Sequence, residues 1–408
     1  MLLYLSVFLI PLIWYELSKT HSEEGSSKVI LFFVFLFFAL FIGLGDMQGG
    51  YDRYIYGAYF DDLADSIRFD LPWGSYSSEY GYSLFNWLIA HFTQNRYIFI
   101  LIATLTMYAF YYRAFVTYLD EYPLATIVFM GLLYYFTMTY LRQTLALGFA
   151  WQACKYAYER KPVPFFLWVA LAFSFHNSAI IFAIMYFVPV HKFSNRTIVI
   201  MMIVLFFVGL SPIASWMMNT FGDVTETQNR TQAYAEDTSG YNYLYMMVSI
   251  FFAWIMSNNS NLISEDNRKE VFFYNMGLMY CAVLLALCRF GSTGRLGWYY
   301  MFGLIYTFSL IGMRADYRAL IRLFIIVLSF TMFYRITSSW NFNLSPYKTF
   351  LTNGYPCGDI KIYEKNEYHQ EYTRDKFFRP AFDVCSRFDL KMIRTESSGI
   401  KNDGSSSN

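Results

Sequence analysis

Four arginines, one histidine and one glutamate stand out by where they fall. Arg142 opens an apolar helix in TYLRQTLALGF, Arg295 precedes another in RFGSTGRLGWYY, and Arg53 and Arg289 occupy comparable positions near helix ends. A helix N-terminus presents free N–H groups and a partial positive charge, and a guanidinium is a planar fork matched to phosphate oxygens. Two such starts facing one cavity would suit a diphosphate. Gly291, Gly294 and Gly297 in the same run let a backbone come close, although such spacing alone is a weak signal. His176 lies inside the apolar stretch LAFSFHNSAIIF, where an ionisable group is costly; it could donate to a diphosphate or shuttle a proton. Glu79, in SSEYGYSLFNWL at the start of a short helix, is the candidate general base for an attacking hydroxyl, with Asp46 and Asp52 as rivals. Each has a plainer reading. Arginines snorkel to lipid headgroups, a histidine can be a satisfied structural residue, and Glu79 can be a solvated acid at a helix start.

The elements that would position these groups are hydrophobic. The chain has 408 residues, 56% hydrophobic and 15% charged, against about 25% charged in a soluble domain. One soluble core of this length cannot absorb so much apolar surface. The apolar residues form runs close to the hydrocarbon thickness of a bilayer, such as 29–45 and 97–112. Inside a bilayer such runs must be helical, and the short alternating segments of a β-barrel are absent from the sequence. The expected fold is therefore an all-α, polytopic transmembrane helical bundle. The 43 Phe and 37 Tyr read as lipid-facing Phe and interfacial Tyr belts, with some Tyr available to line a sugar-binding cavity.

About ten spans are expected, at roughly 2–17, 28–45, 97–116, 123–140, 142–158, 197–217, 242–257, 271–288, 296–312 and 318–335. The N-terminal run lacks a basic flank and a small-residue cleavage site, so it reads as a first span rather than a signal peptide. Residues 82–93 are too short to cross and read as a re-entrant or interfacial helix. Residues 164–189, bounded by prolines, read as two half-helices meeting at His176, a break tolerated where it is buried or lines a cavity. If both stretches return to the face they came from, the loops holding Lys19 and Lys28, Lys155 to Lys161, Lys192 and Arg196, Arg268 and Lys269, and Arg314 to Arg322 share one side. That side is then cytoplasmic. Loops 46–81 and 218–241 fall outside, and so do Arg53, Arg142, Arg289 and Arg295. Residues 1–340 form the transmembrane domain, and 341–408 form a polar tail on the outer side. Cys357 and Cys385 in that tail could pair in an oxidising compartment.

A net charge of +1 offers no basic field for nucleic acid. The sequence has no DxD cluster, HExxH, CxxC or P-loop, so neither a metal site nor an ATP site is expected, and no cofactor is called for. No internal repeat is visible.

At these residues the chain resembles the EpsG family of Wzy-like bacterial polysaccharide polymerases. The resemblance runs over most of 28–335 and is carried by GDMQGGYDRYIYGAYF (45–60), EYGYSLFN (79–86), LRQTLALGF (141–149), YERKPVPF (158–165), LAFSFHNSAIIF (171–182) and CRFGSTGRLGWYY (288–300). The Arg-Gln and Phe-His segments are the most specific. The first segment departs from the family's commoner form, because Arg53 follows Asp52 instead of preceding a Gly-Thr-Asp-Tyr run. What the resemblance implies is a metal-independent membrane glycosyltransferase of GT-C-like type in the bacterial cytoplasmic (inner) membrane, serving O-antigen, capsule or exopolysaccharide synthesis. Its substrates would be polyprenyl-diphosphate-linked oligosaccharide repeat units, joined on the periplasmic or exterior side. A flippase and a chain-length regulator would be its working partners. Arg142, His176, Arg289 and Arg295, with Arg53, would hold the leaving diphosphate, and Glu79 would be the base. Three other classes compete, the blandest being a non-catalytic scaffold of a secretion complex. A flippase for a lipid-linked glycan would place charges on both faces, and an acyltransferase would place its His and Arg towards a cytoplasmic acyl donor.

Overall fold

The structure, a computed structural model, describes residues 2–18, 24–45, 47, 52–66, 79–224, 242–290, 294–344, 347 and 349. Among them there is no β-strand, and the chain is a bundle of helices. In order these are α1 (Leu2–Ser18), α2 (Glu24–Gly43), α3 (Arg53–Ser66), α4 (Tyr80–Ala90), α5 (Arg96–Tyr118), α6 (Tyr122–Leu132), α7 (Tyr134–Thr139), α8 (Leu141–Tyr158) and α9 (Pro162–Phe175). A 3-10 segment, Asn177–Ala183, leads into α10 (Ile184–Phe187), α11 (Asn195–Leu210) and α12 (Pro212–Val224). Then follow α13 (Tyr243–Asn258), α14 (Arg268–Ala286), α15 (Gly294–Gly297), α16 (Met301–Arg314), α17 (Arg318–Ser339) and α18 (Asn341–Leu344).

A helix stands at each of the ten expected spans, with differences that have physical causes. Three helical stretches, Arg96–Tyr118, Gly294–Arg314 and Arg318–Ser339, are long and apolar enough to cross a membrane alone. The expected span 197–217 bends by 78° between α11 and α12. Ser211 there is extended (φ −93°, ψ 167°), and Pro212, which has no N–H to give, starts the next helix. The span at 123–140 breaks at Leu133. Helices α8 and α14 lie inside the bundle with almost every residue buried. They face protein rather than lipid, so they can carry Gln143, Gln152 and Asn275 without an apolar surface all round.

Close approach of backbones holds the centre together. A Cβ on Gly303 of α16 would lie 2.2 Å from the Gly277 nitrogen of α14, so the two helices cross at a glycine pair. Small residues of this kind let membrane helices gain dispersion contacts that lipid cannot outcompete.

The tyrosines correct the belt expectation. Tyr82, Tyr108, Tyr111, Tyr118, Tyr134, Tyr135, Tyr274, Tyr299 and Tyr300 are fully buried. Several of their hydroxyls reach between elements: Tyr111 donates to the Thr144 carbonyl at 2.9 Å, Tyr300 donates to the Ile181 carbonyl at 2.5 Å, and Tyr135 meets the Thr337 hydroxyl at 2.5 Å. A ring fills apolar space while its hydroxyl satisfies a group on the next helix, which suits an interior without water. Exposed tyrosines such as Tyr80, Tyr243 and Tyr317 do sit at helix starts.

The broken stretch around His176 is a hairpin. Helix α9 rises from Pro162 to Phe175, the chain turns at His176, and the 3-10 segment with α10 returns. Arg160 joins the two feet: Nη1 donates to the Tyr186 carbonyl, and Nη2 donates to the Val188 carbonyl at 2.9 Å. Phe165 packs on Tyr186 at 5.2 Å between ring centroids. Both ends of 164–189 are therefore together, and His176 is the tip. Beyond residue 340 the described residues pack back onto the bundle. Tyr347 stacks on Phe41 at 4.4 Å and donates to its carbonyl at 2.8 Å. Cys357 and Cys385 lie outside the described residues.

Candidate active site

Three chain breaks meet at one end of the bundle. Glu79 precedes α4 with φ −90° and ψ 61°, Tyr140 precedes α8 with φ −99° and ψ 58°, and His176 is extended at φ −157° and ψ 121°. None of the three caps its following helix through its side chain. The Glu79 side chain turns instead to the other two breaks. Arg142 Nη1 donates to Glu79 Oε2 at 2.5 Å. His176 Nδ1 lies 2.5 Å from Glu79 Oε1, and the Asn177 backbone N–H also points at Oε1, at 3.4 Å. Gly81 lets α4 lie against α9 at this point: a Cβ there would sit 2.2 Å from Ser174 Oγ.

Both carboxylate oxygens are thus engaged, and the Glu79 side chain is only 4% exposed. Burial works to raise its pKa. The facing His176, then Arg142 and the Asn177 N–H, overcome that and hold the carboxyl well down, at about 2. Glu79 precedes α4, outside the spanning helices. An ionised carboxylate can only accept, so the proton between them belongs to Nδ1 of His176. This leaves Nε2 as the reactive nitrogen, the same division that a triad carboxylate imposes on its histidine. The His176 side chain is 22% exposed, and Nε2 has no hydrogen-bond partner among the described residues.

Tyrosines frame the arginines. The Arg142 guanidinium lies 5.4 Å from the Tyr56 ring centre and 5.9 Å from that of Tyr82. Arg295 lies 4.8 Å from the Tyr140 ring centre, and its backbone carbonyl accepts from Gln143 Nε2 at 2.8 Å. The Arg295 segment is therefore tied to the start of α8. Tyr299, just beyond it, meets the Ser178 hydroxyl at 2.8 Å and so ties the same segment to the hairpin tip.

The structure brings Glu79, Arg142 and His176 into direct contact and sets Arg295 on the adjoining segment. Arg53 is used elsewhere: it is buried and donates to the Gly45 carbonyl at 2.7 Å and the Gly43 carbonyl at 3.4 Å, closing the C-terminal end of α2. Arg289 is half-buried in the turn after α14, beside the start of α13, where the Asn242 N–H donates to the Cys288 carbonyl at 2.7 Å. Asp52 begins the turn into α3, its carbonyl accepting from Tyr56. Asp46 and Gly291 lie outside the described residues. Sequence reasoning missed Tyr56, Tyr82, Tyr140 and Tyr299, because a tyrosine signal spread over the whole chain singles out none. It also missed Asn177 and Ser178, although both directly follow His176. Among the described residues, no three of His, Cys, Asp and Glu come together as a metal-ligand set.

A model of the EpsG family matches residues 28–349. The chain belongs to the EpsG family. EpsG proteins are Wzy-like polysaccharide polymerases, and the apolar helices of this EpsG chain make it a membrane protein of that kind. The matched region contains all of the site described above. No curated protein and no solved structure matches the chain.

Proposed function

We propose that this EpsG chain transfers a glycan from polyprenyl diphosphate to a sugar hydroxyl of an incoming lipid-linked repeat unit, at the outer face of the bacterial cytoplasmic membrane. The meeting of Glu79, Arg142 and His176 at one end of the bundle carries the reading. In the reaction, the bond between the donor's anomeric carbon and the diphosphate oxygen breaks, leaving its electron pair on the departing polyprenyl diphosphate. The acceptor hydroxyl oxygen makes the new bond, and its proton passes to His176 Nε2. With Oε2 held by Arg142 and Oε1 by His176 and the Asn177 N–H, the Glu79 carboxylate has no oxygen turned to an acceptor hydroxyl. The base role first considered for Glu79 therefore moves to His176, and Glu79 fixes the tautomer and orientation. Arg142 and Arg295 stabilise the charge that develops on the diphosphate. No metal or cofactor takes part in this step.

The opposite end of the bundle supports the orientation. Lys192 pairs with Glu265, Lys269 with Asp120 and Arg314 with Glu270, while Arg196, Arg268, Arg318 and Arg322 start or flank the helices there. A concentration of Lys and Arg in short loops marks the cytoplasmic side. Repeat units would then be supplied by a flippase, and a chain-length regulator would act on the same outer face.

The test is a glycan profile of cells whose chain carries Arg142→Ala or His176→Ala. Long polymer should vanish while single repeat units still reach the outer face. Repeat units trapped inside would make the protein a flippase instead.

A further inference from the structure

Four aromatic rings outside the Glu79 cluster form an unbroken row that starts at the arginines. Tyr140 stands two residues before Arg142, and the Arg295 guanidinium lies 4.8 Å from its ring centre. The next ring is Trp298, three residues after Arg295 and 5.2 Å from Tyr140. Trp298 stacks on Phe136 of α7 at 4.2 Å, with the ring planes 16° apart. Phe136 in turn lies 6.1 Å from Trp340, the residue that follows α17.

Burial differs along the row. Trp298 is only 5% exposed and backs the others, whereas Tyr140, Phe136 and Trp340 are each partly open. Trp340 is steadied from inside by Tyr135, at 6.4 Å between ring centroids. The far end of the row is polar, because Ser338, Ser339 and Asn341 beside Trp340 are exposed. A lipid-anchoring belt needs no contact between its rings. These rings come from three separate parts of the chain and meet one another. A pyranose carries C–H groups on its faces and hydroxyls round its edge. The weakly positive C–H face settles on the electron-rich face of an aromatic ring, and the hydroxyls stay free for polar neighbours.

We infer that the Tyr140–Phe136–Trp340 row is a glycan track, which holds the donor sugars next to the diphosphate and leads the chain away from Arg295 towards the end of α17. The inference rests on the polymerase reading and adds where the donor glycan lies. Continuity with the site selects the occupant. If Arg295 holds the diphosphate, the sugar bonded to that diphosphate must lie beside Arg295, where Tyr140 presents the first ring. Each further ring is one step of 4.2–6.1 Å away. An isoprenoid tail laid on the same row would run out among the exposed polar side chains at the Trp340 end.

The full chain, in phosphatidylcholine nanodiscs, is titrated with lipid-free polymer released by mild acid from the producing cells, and separately with sugar-free undecaprenyl diphosphate. Trp340→Leu keeps apolar bulk and removes the aromatic face. It should weaken polymer binding about tenfold and leave undecaprenyl diphosphate binding at the wild-type value. Trp340→Phe, which restores a ring, should recover most of the loss. With purified lipid-linked donors of many repeat units, Trp340→Leu should raise the donor KM and leave kcat unchanged. Wild-type polymer binding in Trp340→Leu overturns the track. Equal losses for sugar-free undecaprenyl diphosphate overturn it too, because Trp340 is then a lipid contact. So do equal losses in the Leu and Phe variants, because no ring face is then being read. Normal binding in Trp340→Leu, with transfer still catalysed by the wild-type chain, means the track is wrong and the polymerase reading stands. The expected binding losses with no transfer by the wild-type chain mean the reverse.

Discussion

Nδ1 of His176 lies 2.5 Å from Oε1 of Glu79, although 97 residues separate them in sequence. The contact joins the tip of one hairpin to the start of an unrelated short helix, and Arg142 completes it from a third break. Glu79 and His176 are themselves chain interruptions, and Arg142 stands two residues after a third, at Tyr140.

Glu79→Gln tests the division of roles. Glutamine keeps the shape but can present a donor to Nδ1, which favours the wrong tautomer. Turnover with purified lipid-linked repeat units should fall by about 10²–10⁴-fold, with little change in acceptor KM. Wild-type turnover would remove Glu79 from the mechanism.

Arg142→Ala should destabilise as well as inactivate. It strips a cation from a carboxylate that is 4% exposed, and breaking a buried pair from one side costs roughly 3–5 kcal/mol. The thermal midpoint of the detergent-solubilised protein should drop. Arg142→Ala with Glu79→Gln should recover part of the loss, because no buried charge is then stranded.

Stability should also fall in acid. The folded Glu79 carboxyl lies near 2, below its ordinary value of 4.5. Its stabilising contribution is complete above the ordinary value and disappears as pH drops from there towards 2. Thermal midpoints measured from pH 6 down to 3 should decline in the wild type and decline less in Glu79→Gln. Parallel curves would contradict the depressed carboxyl.

Gly303→Leu should separate α14 from α16. Even the first added atom meets backbone, 2.2 Å from the Gly277 nitrogen, and backbone cannot rotate aside as a side chain can. Overpacking of this kind costs about 1–3 kcal/mol or more, and the variant should show a reduced yield of monodisperse protein.

Single cysteines test the orientation. Placed at Glu265 and at Arg335 in a chain whose own cysteines are replaced by serine, they should label from opposite sides of the membrane, with residue 335 outside. Labelling of both from one side would refute the assignment.

Much of this was legible in the chain, for identifiable reasons. Helix positions follow from apolar run length, which needs no partner. The His176 hairpin followed from prolines at both feet and a polar residue at the tip. The roles of individual side chains were less legible. Arg53 and Arg142 look alike in sequence, yet one closes the end of α2 and the other meets Glu79. Only the packing of α3 and α4 distinguishes them. The bend at Ser211 hides in an apolar run, because a lone Pro212 marks both a tolerated helix start and a sharp turn. The buried tyrosines escaped because their hydroxyl partners, such as Thr144, Ser178 and Thr337, lie far along the chain.

The Arg160 contacts at the foot of the hairpin reach further than their own neighbourhood. The 14 residues of α9 give an arm of roughly 21 Å from that foot to the imidazole. The hairpin is a lever held at its foot by Arg160 and steadied at its tip by Glu79 and by the Ser178–Tyr299 contact. A tilt of about 5° at its root would swing the His176 ring by roughly 2 Å, more than a catalytic group can wander without a large loss of rate. Residues at the far end of the molecule, which touch neither sugar nor diphosphate, therefore share with Glu79 and Tyr299 in placing the tip.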